Sequence, residues 1–242
     1  MRLIKELKGH SGATVSLFDN NVVVKTNYNK ARQSASILQE LPFHTPEIYE
    51  IEDDTITMEY INGEDIRSLL EHHGQEGLDL LIKFIEQYFD WCLANSSKYI
   101  FTNEVDEKIF QLGDYINLES IKSQLQYDMP RSLIHGDFTF DNIIFKDGKF
   151  YLIDANPTYL NSIHFDGSKL RQDIDGFWFM RNVEDKLNYK ISCLAIGEQL
   201  KSKYDFMRNN NLYVFMLSRI LPYTKDEKIM KFLSKELKRA WP

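Results

Sequence analysis

Short alternating runs occupy the N-terminal part of the chain, and helical periods occupy the remainder. Leu3 to Leu7, Ala13 to Phe18 and Val22 to Val24 are β-prone runs. They are separated by Gly9-His10-Ser11-Gly12 and by the turn Asp19-Asn20-Asn21, which predicts three antiparallel strands. Tyr28 to Leu41 places Ala31, Ala35, Leu38 and Leu41 on one stripe and reads as a helix. Pro46 opens a second pair of strands, Ile48 to Ile51 and Thr55 to Tyr60, turned at Asp53-Asp54. After Gly63 the period changes. Glu64 to His73 is expected to be a short helix, and Leu78 to Leu93 repeats apolar residues at Leu78, Leu81, Ile82, Ile85, Tyr88, Phe89 and Leu93, the pattern of a buried helix. Ser96 to Tyr127 mixes apolar residues with acids and is expected to form short helices. Further helices are expected over Lys169 to Arg181, Glu184 to Lys203, Tyr204 to Leu221 and Lys225 to Arg239. In the last of these Ile229, Phe232, Leu233 and Leu237 oppose a lysine-rich side, so it packs on the protein with a solvated basic face.

Between these helical regions lies LIHGDFTFDNIIFKDGKFYLIDANP, Leu133 to Pro157, where three oxygen-bearing side chains punctuate an apolar run. Ile143 to Phe145 and Phe150 to Ile153 are β-rich and joined by Asp147-Gly148, a tight hairpin signal. Asn142 precedes the first strand and Asp154 follows the second, so the hairpin returns one close to the other. An amide oxygen and a carboxylate there suit magnesium rather than zinc. Asp137 lies five residues before Asn142, within reach of a substrate hydroxyl beside the same cation. Turn chemistry alone also accounts for each of these residues taken singly. The order and flanking strands favour a site.

His135-Gly136-Asp137, then Asn142 and the apolar-apolar-Asp of Leu152 to Asp154, resemble the catalytic and metal loops of the aminoglycoside phosphotransferase and choline kinase group. That resemblance implies an α+β, two-lobed protein-kinase-like fold, with an antiparallel-sheet lobe over residues 1–62 and a helical lobe over 63–242. It implies that Asp137 orients the acceptor hydroxyl, that Asn142 and Asp154 hold magnesium on ATP phosphates, and that His135 is a structural hydrogen-bonder. Lys25, closing the Val22 to Val24 run and turned by alternation to one face, sits where the family places its phosphate-binding lysine. Gly9 and Gly12 would let a turn approach phosphates through backbone N–H groups. Glu59, Tyr60 and Ile61 resemble the hinge that reads adenine through its main chain. One departure stands out, since the helix that carries a lysine-pairing Glu in the family here offers Gln33 or Ser34. Glu40 lies on the same face as Gln33 but roughly 10 Å further along the axis. Either Gln33 bonds Lys25, or the metal site carries more of the charge balance, or the chain is a weakened kinase. Ala155 to Gly167 reads as a metal-adjacent loop, and Asp173 or Asp175 as a helix acid that buttresses the catalytic loop. The stretch SKLRQDIDGFWF is similar to phosphotransferases of bacterial surface-polysaccharide clusters.

At 242 residues the chain has room for one large domain or two lobes, and 43% hydrophobic with 27% charged residues is ordinary for a globular protein. A formal charge of −7 argues against a general nucleic-acid surface. Cys92 and Cys193, far apart and without CxxC spacing, read as buried thiols rather than metal ligands or a disulfide. No secretory h-region or membrane-length apolar run appears, so a cytoplasmic protein is expected.

The resemblance implies an ATP- and magnesium-dependent phosphotransferase acting on a small-molecule hydroxyl. Sugars or glycan precursors come first among acceptors, then aminoglycosides, then choline-like amines. Glu104, Asp106, Glu107, Asp166 and Asp173 are candidates for steering a cationic acceptor. The alternatives are a silent nucleotide-binding pseudokinase, a protein Ser/Thr kinase without a recognisable peptide-docking segment, and a nucleotidyl transferase.

Overall fold

The computed structural model describes residues 2–7, 13–112, 122–123, 125, 127–181 and 187–240. Gly9 and Gly12 fall outside the described residues. The chain divides into two compact units, Met1–Gly77 with His135–Thr158, and Leu78–Ile134 with Tyr159–Pro242.

The first unit is built on a five-stranded antiparallel sheet in the order β1 (Leu3–Leu7), β2 (Thr14–Phe18), β3 (Val22–Thr26), β5 (Ile56–Glu59), β4 (Ile48–Ile51). The two strand groups expected from the sequence merge into one sheet because β3 pairs with β5, in a register that sets Lys25 opposite Ile56. Helix α1 (Ala31–Glu40) packs on it through Ala31 and Ala35, against Ala13, Tyr28 and Ile56. Its stripe is the predicted one, with Ser34 also on the buried side. The same unit contains the expected hairpin, β8 (Ile143–Lys146) and β9 (Lys149–Leu152). Asp147 and Gly148 both take positive φ, 50° and 75°, as a two-residue turn matched to strand twist requires. The segment after the sheet is tied to this hairpin by reciprocal bonds of 2.8 Å, Glu64 N–H to Phe145 O and Phe145 N–H to Glu64 O.

Helix α2 (Ile66–Ala94) joins the two helices expected at Glu64 to His73 and Leu78 to Leu93 across an interruption at Gly74, φ 52°. In the second unit, β6 (Ser97–Ile100) pairs antiparallel with β7 (Asp128–Arg131), a two-stranded sheet that the irregular pattern of this region did not reveal. Helix α3 (Thr102–Leu112) lies between them in sequence and buries Val105, Ile109 and Leu112 beside Phe101, Phe165 and Phe215. The helix expected at Lys169 to Arg181 instead spans Ile163–Ile174 (α4). Ser162 caps it, its hydroxyl accepting the His164 N–H at 3.3 Å, and so shortens the loop expected to reach Gly167. Helices α5 (Leu187–Lys203), α6 (Asn210–Ser218) and α7 (Glu227–Ala240) complete the unit. Leu233 of α7 is buried and its lysines are exposed, as its pattern required.

Candidate active site

The three predicted side chains all lie in the first unit, with Asp137 and Asn142 bonded to each other and Asp154 one residue beyond a backbone bond to Asn142. Asn142 ends a single helical turn, Phe140–Asn142, that leads directly into β8, and is buried there. Its Nδ2 donates to the Asp137 carbonyl at 2.8 Å and to Asp137 Oδ2 at 3.1 Å. Its own carbonyl accepts the Ile153 N–H at 3.1 Å, so the residue before Asp154 is fastened to the residue that faces Asp137. His135 is fully buried, and its Nε2 donates to Ile153 O at 2.8 Å. A carbonyl can only accept, so Nε2 is the donor and this ring nitrogen carries its proton into a structural bond. Gly136 takes φ 78°, and a Cβ at that position would lie 2.0 Å from Asn156 O. The His-Gly-Asp sequence therefore has a backbone reason for its glycine.

Lys25 Nζ donates to Asp154 Oδ1 at 2.5 Å and stands 3.7 Å over the Tyr28 ring. The pair is asymmetric, with the lysine side chain only 6% exposed and the carboxylate 52%. Asp154 sits in the left-handed region at φ 56°, which costs energy for a residue with a Cβ. Burial raises the Tyr28 phenol to about 12; the bond with Ser34 pulls it down, and the negative charges of Asp154 and Asp137 push it up. Both carboxylates are thus within electrostatic reach of one ring.

The missing helix Glu is answered by this arrangement. Gln33 is exposed and does not meet Lys25, and Glu40 is exposed and bonded to Ser36. The lysine's carboxylate partner is Asp154 itself. Ser34, buried one residue on from Gln33, donates from Oγ to Ala155 O at 2.6 Å. Tyr28 Oη donates to the same carbonyl at 3.4 Å, and Lys30 Nζ donates to Pro157 O at 3.0 Å. Sequence reasoning did not single out Tyr28 or Lys30 and assigned Ser34 no bond. The available signal was a hydroxyl in the buried i, i+3, i+4, i+7 stripe Ala31, Ser34, Ala35, Leu38.

At the expected purine-reading edge, the Glu59 N–H is spent on Glu47 O and the Tyr60 N–H on Asn21 O, both at 2.8 Å. Ile61 O accepts the Gly63 N–H at 3.2 Å. Among the described residues no group of three His, Cys, Asp or Glu side chains is placed to hold a metal. The donor set at the triad is different in kind. With Asn142 Nδ2 committed to Asp137, the Asn142 Oδ1 and the half-exposed Asp154 carboxylate are the oxygen donors that could hold magnesium, which takes such hard ligands with phosphate and water.

The acids expected to steer a cation are engaged within the second unit. Glu104 accepts from Tyr99 and Arg131, Asp106 pairs with Lys122, and Asp166 is buried and accepts from Tyr88 at 2.6 Å. Asp173 is buried and takes the Phe179 N–H at 3.0 Å, capping the turn beyond its own helix. Glu104 and Asp106 are thus paired with cations and Asp166 and Asp173 are buried, so none of these four presents an open, unpaired carboxylate.

No family profile matches the sequence, and no curated protein matches it either. Solved structures do match. The streptomycin–ATP ternary complex of the aminoglycoside phosphotransferase APH(2'')-IIa is 15% identical, with a TM-score of 0.60 over 99% of this chain and 91% of that one. A choline/ethanolamine kinase family protein from Mesorhizobium loti is 12% identical at 0.56, covering 99% and 87%. Glucosamine kinase bound to glucosamine, ADP and phosphate is 12% identical at 0.55, covering 98% and 76%. The chain has the protein-kinase-like fold of the aminoglycoside phosphotransferases and the choline/ethanolamine kinases.

Proposed function

We propose that this protein is an ATP- and magnesium-dependent kinase that transfers the γ-phosphoryl group to a hydroxyl of a small molecule. The observation that carries the proposal is the Asn142 amide nitrogen bonded to Asp137, with Asp154 brought alongside through the Ile153–Asn142 bond. Asp137 accepts the acceptor hydroxyl's hydrogen bond and orients it. Phosphoryl transfer has a loose transition state, so alignment matters more than basicity and an ordinary carboxylate suffices. Lys25 is held in place by β3 and Tyr28, and exchanges Asp154 for phosphate oxygens when nucleotide enters. The Asn142 and Asp154 oxygens would hold the magnesium ion, which when bound neutralises phosphate charge. Gly9, Gly12 and the hinge main chain complete the nucleotide contacts in this proposal, the Glu59 and Tyr60 N–H groups being already bonded and so leaving the other hinge backbone groups up to Ile61 for the purine edge. The related folds carry streptomycin with ATP in one case and glucosamine with ADP in another, which supports sugars and aminoglycosides as acceptors alongside amino alcohols.

An ADP-release screen over sugars, glycan precursors, aminoglycosides and amino alcohols tests the proposal. Magnesium-dependent ADP formation with at least one acceptor is expected. Pyrophosphate release would mean nucleotidyl transfer, and label appearing in a bulk protein extract would mean a protein kinase. A second reading, a silent nucleotide-binding module, draws on the absent helix Glu and on Lys25 pairing with Asp154 itself. It is established if ATP binds and no acceptor yields ADP.

A further inference from the structure

We infer that Ser34, assisted by Tyr28, is the positioning residue for Asp154, replacing by a hydroxyl-to-carbonyl bond the link that a helix Glu would make to Lys25. The inference rests on the proposed function for its purpose, and on the first unit's geometry for its existence. Asp154 is in the left-handed conformation, which is less favourable than the right-handed one even for Asp and is favoured here by bonds to its neighbours. Each neighbour is held. On the N-terminal side, Ile153 O accepts from His135 Nε2 and the Ile153 N–H donates to Asn142 O. On the C-terminal side, the Asn156 N–H donates to His135 O at 2.9 Å, and Ala155 O accepts from Ser34 Oγ at 2.6 Å and from Tyr28 Oη at 3.4 Å.

Of these bonds, the Ser34 contact is the short side-chain bond that comes from helix α1. The others begin in the catalytic loop, the hairpin or the Tyr28 ring. Ser34 therefore makes the coordinating carboxylate depend on the seating of α1, which is the job an ion pair from that helix to the lysine would do. A hydroxyl accomplishes it without a second buried charge. Lys25 has its single carboxylate partner in Asp154, and its ammonium rests on Tyr28. An added helix carboxylate would compete for that ammonium, whereas Ser34 leaves the lysine free to transfer from Asp154 to phosphate.

The test compares Ser34→Ala with Ser34→Thr, which keeps the hydroxyl. Amide hydrogen exchange of residues 153–156 in the protein without nucleotide should speed up about fivefold in Ser34→Ala, the worth of one net hydrogen bond, and return to the parent rate in Ser34→Thr. Titration with a non-hydrolysable ATP analogue should lose about fivefold in affinity with magnesium present and change by less than about twofold without it. Unchanged exchange in Ser34→Ala overturns the inference. An equal affinity loss with and without magnesium also overturns it, because that is general loosening of the sheet unit. If the parent shows no magnesium-dependent binding while the exchange result holds, the proposed function fails and the positioning of the loop by Ser34 stands.

Discussion

Two aspartates, one in each unit, carry ion pairs of nearly equal length and differ in everything around them. Asp154 meets Lys25 at 2.5 Å, and Asp175 meets Lys201 at 2.6 Å and Arg171 at 2.7 Å. In the first pair the cation is buried and the anion is half open to water. In the second the carboxylate is 11% exposed, both its oxygens are taken, and its backbone carbonyl accepts from Arg239 at 3.0 Å. Arg171 is further committed to Asn209 O and to the Asn210 side chain, and lies 4.5 Å over the Tyr213 ring. A network in which both Asp175 oxygens are taken ties helices α4, α5, α6 and α7 together and leaves that carboxylate little capacity for a ligand. An open carboxylate on strained backbone, facing a lysine that is itself desolvated, holds its charge available. Bond length alone does not distinguish structure from chemistry; accessibility and the number of competing partners do.

The comparison can be broken most severely at Asp137, the residue proposed to orient the acceptor hydroxyl. Asp137→Ala should keep nucleotide binding and lose about a thousandfold or more in kcat, roughly 4 kcal/mol of transition-state stabilisation. Turnover within about threefold of the parent would remove Asp137 from the mechanism. The sealed network predicts a different loss: Asp175→Asn should cost about 3 kcal/mol of folding stability, because Arg171 and Lys201 are left without their carboxylate. Denaturant unfolding measures this, and Asp154→Asn on the same assay should cost less, because one cation rather than two loses its partner and the Asp154 carboxylate is half open to water. Asp154→Asn should instead weaken magnesium-dependent ATP binding, and an unchanged titration would count against its assignment.

Acid sensitivity of the fold should also come from the second unit. His164 stacks on Phe206 with ring centroids 4.9 Å apart, its Nδ1 has no hydrogen-bond partner, and burial lowers its pKa from 6.5 to about 4. The folded state thus refuses a proton that the unfolded chain accepts. This His164 contribution is full above pH 6.5 and is lost as pH falls toward 4, by up to about 3 kcal/mol. Unfolding measured across that window should show a slope in the parent that is reduced in His164→Gln. An equal slope in both would place the acid sensitivity elsewhere.

Much of this was legible in the chain for identifiable reasons. Asp147-Gly148 between β-rich runs specifies a tight hairpin locally, and a hairpin of known length necessarily brings Asn142 near Asp154. The α1 stripe and the α7 pattern were readable because burial follows a 3.6-residue period. The strands β6 and β7 were not, because they are separated by a helix and half exposed, so neither alternation nor a turn signal marks them. The start of α4 was missed because Ser162 was passed over as loop chemistry when it is the cap. The acids of the second unit looked like a steering field because a sequence gives charge without giving partners.

The sequence by itself determined the chemistry on offer: a carboxylate, a carboxamide and a second carboxylate at hairpin spacing, and a lysine at the end of an apolar strand. Only the tertiary structure decided which charges face one another. It turned Gln33 to solvent and Ser34 onto the Asp154 loop, paired Lys25 with Asp154, and closed Glu104, Asp166 and Asp175 into bonds of their own. The reason is that a residue's type and local period are properties of short segments, whereas desolvation and pairing depend on groups more than a hundred positions apart, as Lys25 and Asp154 are.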